Sequence, residues 1–203
     1  MVYNGRKLLM LILIGLLVVW FVGWSAPAEQ QGQKLKALSK AEMRKLLPDP
    51  WPDDWHIFIQ HVGNQTIEHC EFMQWNSGGL RCRVLLQKGT ATKGAVAGLT
   101  NGMPAQQANI KITDLRDPSA EDQFTPKDME HKKPDGTVLM TDKAITFIGH
   151  KAKLTKSLWL KDMIIIIYRS GRFEIEVQSM RDQGIGIGMD DLKVLCKALN
   201  LPK

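Results

Sequence analysis

The chain has 203 residues, 44% of them hydrophobic and 24% charged, an ordinary globular composition that excludes disorder throughout. Its 27 Lys and Arg against 21 Asp and Glu leave a net charge of +6. The basic residues are interleaved with acids, and no zinc-finger or RNA-binding pattern accompanies them, so no nucleic-acid partner is expected.

The first element is apolar. Leu8 to Ala26 reads LLMLILIGLLVVWFVGWSA, about 19 uncharged residues whose helix reaches roughly 28 Å, close to the hydrocarbon thickness of a bilayer. Arg6 and Lys7 precede it without an acid, so residues 1–7 are expected to be a cytoplasmic tail and everything after Ala26 to lie outside. A cleaved signal peptide is the competing reading, because Ala26-Pro27-Ala28 fits a small-residue cleavage site. The length of the apolar run and the cluster Trp20, Phe21 and Trp24 at its outer end favour a retained anchor over residues 8–26. The first cysteine is Cys70, too far along for an N-terminal lipid anchor.

Residues 27–50 read as a linker and a short helix. Ser39 and Glu42 form S-x-x-E, a capping box, with Leu38 and Met43 placed as a hydrophobic staple. The pattern predicts a helix from Lys40 to Leu47, stopped by Pro48 and docked through Leu46 and Leu47. Residues 51–203, roughly 150 residues, suffice for one domain with its own core. Trp51 and Trp55 open it on a Pro-rich segment. They cap one end of the core or, since tryptophan is enriched at interface hot spots, form a candidate partner contact.

Strand patterns follow. His56 to Val62 is expected as one strand, with Gly63-Asn64 turning the chain. Thr66 to Trp75 and Leu80 to Gln87 are expected to pair around residues 76–79. Trp75 then opposes Leu80, Met73 opposes Cys82 and Glu71 opposes Val84. Leu80, Cys82, Val84 and Leu86 make the apolar face of that hairpin, with Arg81 and Arg83 pointing away. Residues 88–108 read as a flexible loop, Asn109 to Leu115 as a strand, and Arg116 to Gly136 as a long polar loop with one helical turn starting at Thr125-Pro126. Val138 to His150 is expected as one irregular strand.

Lys161 to Arg169 and Arg172 to Met180 form a second hairpin turned at Ser170-Gly171. Pairing Tyr168 with Phe173 sets Ile164, Ile166, Tyr168, Phe173, Ile175 and Val177 on one face. Ile165 and Ile167 then lie on the other face, opposite Glu176 and Glu174, and need a cover of their own. The C-terminal helix, Asp191 to Leu199 with Asp190 as its cap, carries Leu192, Leu195, Cys196 and Leu199 on one stripe and is expected to supply that cover. The fold class is α+β: an antiparallel sheet with a packed C-terminal helix, preceded by one transmembrane helix.

Candidate chemistry is sparse. Gly184-Ile-Gly-Ile-Gly188 lacks the G-x-G-x-x-G spacing and the βαβ setting of a phosphate loop, and Asp190 and Asp191 follow it. His56 and His61 fall on opposite faces of one straight strand, as do neighbours His69 and Cys70, and no H-E-x-x-H or C-x-x-C occurs. Hydrolase signatures are absent. No catalytic residue, cofactor, metal or small-molecule substrate is therefore assigned. Cys70–Cys82 is the nearest cysteine pair, but the register above holds the two out of line, and only a bulge would bring them together. Asn64-Gln65-Thr66 is a glycosylation sequon in a turn.

One anchor carrying an extracytoplasmic α+β domain suits a non-enzymatic subunit of a bacterial envelope machine, of secretion, conjugation or pilus type, working by contact with other envelope proteins at the inner membrane. That expectation is fold-level analogy. A membrane-anchored inhibitor or immunity protein for a secreted toxin is the alternative. A periplasmic hydrolase with a non-contiguous site is the second alternative.

Overall fold

The computed structural model describes residues 34–52, 54–73, 78–86, 106–158, 163–180 and 187–202. The chain divides into two compact units, Met1–Lys34 and Leu35–Lys203. The apolar run 8–26, the A-x-A motif at 26–28 and most of the glycine-rich loop at 184–188 lie outside the described residues. Among the described residues no helix is long and apolar enough to cross a membrane.

The second unit is mostly antiparallel sheet. The strands among its described residues are β1 (Trp55–Ile57), β2 (Ile59–Val62), β3 (Gln65–Glu68), β4 (Cys70–Met73), β5 (Gly79–Leu86), β6 (Gln106–Asp114), β7 (Met129–Lys132), β8 (Val138–Phe147), β9 (His150–Ser157), β10 (Ile164–Ser170) and β11 (Phe173–Met180). Helix α1 spans Lys40–Arg44 and helix α2 spans Met189–Lys197. Nine strands form one sheet in the order β1-β5-β6-β11-β10-β9-β8-β7, with β4 beside β1 along the same edge of β5, while β2 and β3 form a separate pair.

The second hairpin is tighter than the sequence suggests. Ser170 pairs with Phe173 and Tyr168 with Ile175, so the loop is Gly171-Arg172, with Gly171 at φ +54° in the first loop position of a two-residue turn. Ile165 and Ile167 therefore meet Gln178 and Glu176, not Glu176 and Glu174. A slip of two leaves every side chain on its expected face, and Ile166, Tyr168, Phe173, Ile175 and Val177 are indeed buried together.

The helix covers that same face. Leu192, Leu195, Cys196 and Leu199 join the cluster of Ile110, Ile112, Ile166, Tyr168 and Val177, so the expectation that α2 shields Ile165 and Ile167 is wrong. Those two isoleucines are half-buried on the outer face. Their strand neighbours there are Thr155 and Lys153 on β9 and Gln178 and Glu176 on β11, of which the three long side chains have aliphatic stems suited to partial cover. Gly188, not Asp190, is the N-cap of α2, with the Asp191 carboxylate accepting from the Gly188 N–H. Asp190 instead pairs with Lys193 at the surface.

Helix α1 stops at Arg44, three residues short of the expected end, and continues as turns. Its capping box forms: the Ser39 hydroxyl accepts from the Glu42 N–H and the Glu42 carboxylate accepts from the Ser39 N–H. Met43, Leu46 and Leu47 are core residues. Asn200 ties the two helical segments together, its side chain donating to the Lys45 and Leu47 carbonyls and its N–H to the Leu46 carbonyl.

Several strands depart from expectation. The stretch 56–62 breaks at Phe58, and 66–75 breaks at His69, because the Phe58 N–H bonds the Arg83 carbonyl while the β2–β3 hairpin leaves the sheet. The long polar loop contains β7, and the turns within it lie at 118–123 instead of at Thr125-Pro126. Val138 to His150 is the whole of β8 and the first residue of β9, turned at Ile148-Gly149, both with positive φ. A two-residue turn of that kind favours Asn-Gly, and a β-branched residue in its first position hides it from a sequence reading.

Removing the Ile166 side chain should leave a cavity costing about 2–5 kcal/mol. Ile165→Ala and Ile167→Ala, on the half-buried face, should each shift the urea midpoint much less. Truncation before Met189 should unfold the domain. Equal losses at Ile165 and Ile166 would contradict the one-sided core.

Candidate functional site

The two tryptophans do not form one surface patch. Trp55 is buried in the core at the start of β1, opposite Leu86, and Trp51 packs half-buried against the same cluster. Only Trp51 offers a face to solvent.

The histidine–cysteine region is rearranged by the β4–β5 register. Met73 pairs with Gly79, Phe72 with Leu80 and Cys70 with Cys82, three residues from the expected alignment. An odd slip moves the whole of β4 to the opposite face, which turns the expected misfit of the cysteines into a disulfide, Cys70–Cys82. The Arg83 N–H donates to the His69 carbonyl while the His69 N–H donates to the Phe58 carbonyl, and at the next position Cys70 and Cys82 stand opposite each other with Cα atoms 4.1 Å apart. The His69 ring lies tilted against Phe58 with centroids 4.5 Å apart, its Nε2 lies 3.0 Å from Gln60 Oε1, and Arg83 sits over the same phenyl ring at 5.4 Å. His56 is half-buried on the outer face, where burial alone lowers its pKa. Among the described residues no three metal-binding side chains converge.

The polar cluster that sequence reading missed lies on the outer face of β7, β8 and β9. Asp142, only 6% exposed, accepts from the Thr155 hydroxyl at 2.6 Å, contacts His131 Nε2 at 3.0 Å and faces Lys153 Nζ at 3.4 Å. Register builds it: Asp142 pairs with Thr155, and His131 on the edge strand pairs with Met140, two residues before Asp142. Burial pushes the Asp142 pKa up, but the hydrogen bonds from Thr155 and His131 and the charge of Lys153 outweigh it and leave it lowered. Chemically this is a carboxylate held ionised beside an imidazole. The Thr155 hydroxyl donates to Asp142 rather than to His131, so no nucleophile–base pair results.

A second cluster closes the end of the sheet. Glu121 bridges His150 Nδ1 at 2.7 Å and the Gly171 N–H at 2.6 Å, and His150 stacks on Tyr168 at 5.5 Å. Burial raises Glu121, but these two hydrogen bonds win and leave its pKa lowered. Beneath, the fully buried Tyr168 hydroxyl has no well-formed hydrogen bond and lies against Cys196, the one free thiol among the described residues. Burial pushes that thiol up to about 12, so Cys196 stays protonated and inert as a nucleophile.

Comparison with protein-family models, curated proteins and solved structures returned no match, so the class of protein rests on the chain's own geometry.

Asp142→Ala would leave the buried Thr155 hydroxyl without its acceptor, at an expected cost of about 1–3 kcal/mol near pH 7. The wild-type pKa of Asp142 is depressed on folding, so its contribution is fully present above the ordinary aspartate value near 4 and is lost as pH falls through the lower folded value. Urea midpoints for the two proteins should therefore draw together as pH falls below the ordinary aspartate value near 4. A gap that stays constant through the acid range would assign the loss to packing alone.

Proposed function

We propose that this chain is a membrane-anchored, extracytoplasmic interaction subunit of a bacterial envelope machine of the secretion, conjugation or pilus type. In this reading residues 8–26 are its single transmembrane helix, residues 1–7 face the cytoplasm and the sheet domain works in the periplasm by contact with other envelope proteins. The observation that carries it is the Cys70–Cys82 pair, set side by side by strand register. A bridge between two strands of the core sheet belongs to an oxidising compartment, which is where the positive-inside rule puts everything after Ala26. The described surface adds support: its buried carboxylates are engaged by structural donors, and the outer sheet face carries paired charges such as Lys111–Glu176 and Arg169–Glu174. Such a face suits a protein that binds through contact and performs no chemistry.

Alkaline phosphatase fused after Ala28 should be active, and fused at Asn4 inactive; the reverse pattern would overturn the topology. Denatured without reductant, the purified full-length chain should show the single thiol of Cys196 and gain two more on reduction. Three thiols before reduction would place the domain in a reducing compartment.

A further inference from the structure

Among the described residues the β2–β3 hairpin is an arm that stands apart from the large sheet. Its strands pair with each other, from Ile59–Glu68 to Val62–Gln65, around the tight turn Gly63-Asn64, and among the described residues neither belongs to the large sheet. An isolated two-stranded hairpin is marginal in water, yet this one spends aliphatic side chains on solvent. Ile59, Val62 and Ile67 are 42%, 52% and 41% exposed, and every residue of β3 is exposed. Val62 and Ile67 share one face with Gln60 and Gln65.

The base of the arm, by contrast, is firmly built. The Phe58 and His69 rings meet across it in tilted contact, the Phe58 N–H and the His69 carbonyl both bond Arg83, and the disulfide at Cys70 fixes the returning strand to β5 one residue later. Arg44 on α1 pairs with Glu68 at the end of β3. The arm is therefore held at a set angle while its tip stays bare.

We infer that this arm is a strand-addition element that docks on the edge strand of a different protein, with Val62 and Ile67 entering an aliphatic groove beside that edge. The inference rests on the contact reading above and names its surface. The chemistry of the arm selects the occupant. From Phe58 to His69 the only fully charged residue is Glu68, and Arg44 neutralises it. A phosphate backbone or an anionic headgroup layer thus finds no charge to meet. Each strand of the pair has one backbone edge that no described strand covers. Bilayer hydrocarbon would leave such edges unsatisfied, whereas a partner's edge strand satisfies them, the side chains giving specificity. A second copy of the chain brings a net charge of +6 against +6, which opposes self-association.

The test uses the full-length chain in its native membrane, with a photo-cross-linking phenylalanine analogue in place of Val62 and, in a second strain, in place of Trp51. The expected result is an adduct from position 62 with another protein whose cross-linked peptide maps to an edge strand. Ile67→Glu should abolish that adduct while the Cys70–Cys82 bridge still forms, the mark of an intact fold. An adduct with a second copy only, with lipid only, or with a partner peptide away from any strand edge would overturn the inference, as would none at all. An adduct at position 51 with none at 62 would overturn the arm's role and leave the contact reading standing. Silence at both positions would count against both.

Discussion

One buried ion pair organises this domain. Asp114, at the end of β6, is fully enclosed. Its carboxylate accepts from the Arg172 guanidinium at both oxygens, 2.7 Å each, and from the N–H groups of Leu38 and Arg116. A buried carboxylate without partners would cost several kcal/mol. All four donors must therefore be in place together, and they come from three separate parts of the chain: the segment before α1, the end of β6 and the β10–β11 turn. Arg172 also donates to the Lys36 carbonyl, and the Leu35 N–H bonds the Arg116 carbonyl. This constraint sets where the N-terminal segment joins the sheet and, through the Ser39 capping box, where α1 begins. The turns after α1 then meet Asn200, which places the C-terminal helix on the inner face. The carboxylate thus fixes the first segment of the domain to the sheet, and Asn200 fixes the last segment to the first.

Both helical segments pack on the inner face, and no described element covers the other. That explains how four consecutive isoleucines sit in one strand of a one-sided sheet: Ile166 lies in the core, Ile164 packs partly buried against it, and Ile165 and Ile167 lie among Lys153, Glu176, Thr155 and Gln178. Beside that outward pair the neighbouring Lys153, Glu176 and Gln178 carry aliphatic stems. The same outer face holds the Asp142 cluster, where register brings an edge-strand histidine, a threonine and a lysine to one carboxylate.

Side-chain parity was legible in the sequence, and register was not. The alternation of β5, β10 and β11 and the stripe on α2 marked the core residues correctly, and S-x-x-E marked the start of α1. Registers depend on turn length, and neither tight hairpin turn in the second half, Ile148-Gly149 or Gly171-Arg172, carries the Asn-Gly signature that pins one. For β10–β11 the error was even and cost nothing. For β4–β5 it was odd and concealed the disulfide. Strands β7 and β9 were overlooked because their exposed Lys, Glu and His dilute the apolar alternation. Asp114 and Asp142 were invisible because their partners lie elsewhere in the chain, Arg172 being 58 residues from Asp114. The Trp51–Trp55 pair drew attention through composition alone, while the exposed residues of the β2–β3 arm read as ordinary strand.

The most direct test is a double-mutant cycle on Asp114 and Arg172, read by urea midpoint together with hydrogen exchange at Leu35 and Leu38. Each single substitution to alanine should cost about 3–5 kcal/mol by leaving a buried charge or its donors unpaired. The double variant should cost clearly less than the sum, by roughly 1–3 kcal/mol. The Leu35 and Leu38 amides should lose protection in all three variants. Additive losses below about 0.5 kcal/mol each, with those amides still protected, would show that the N-terminal segment is held by something other than Asp114.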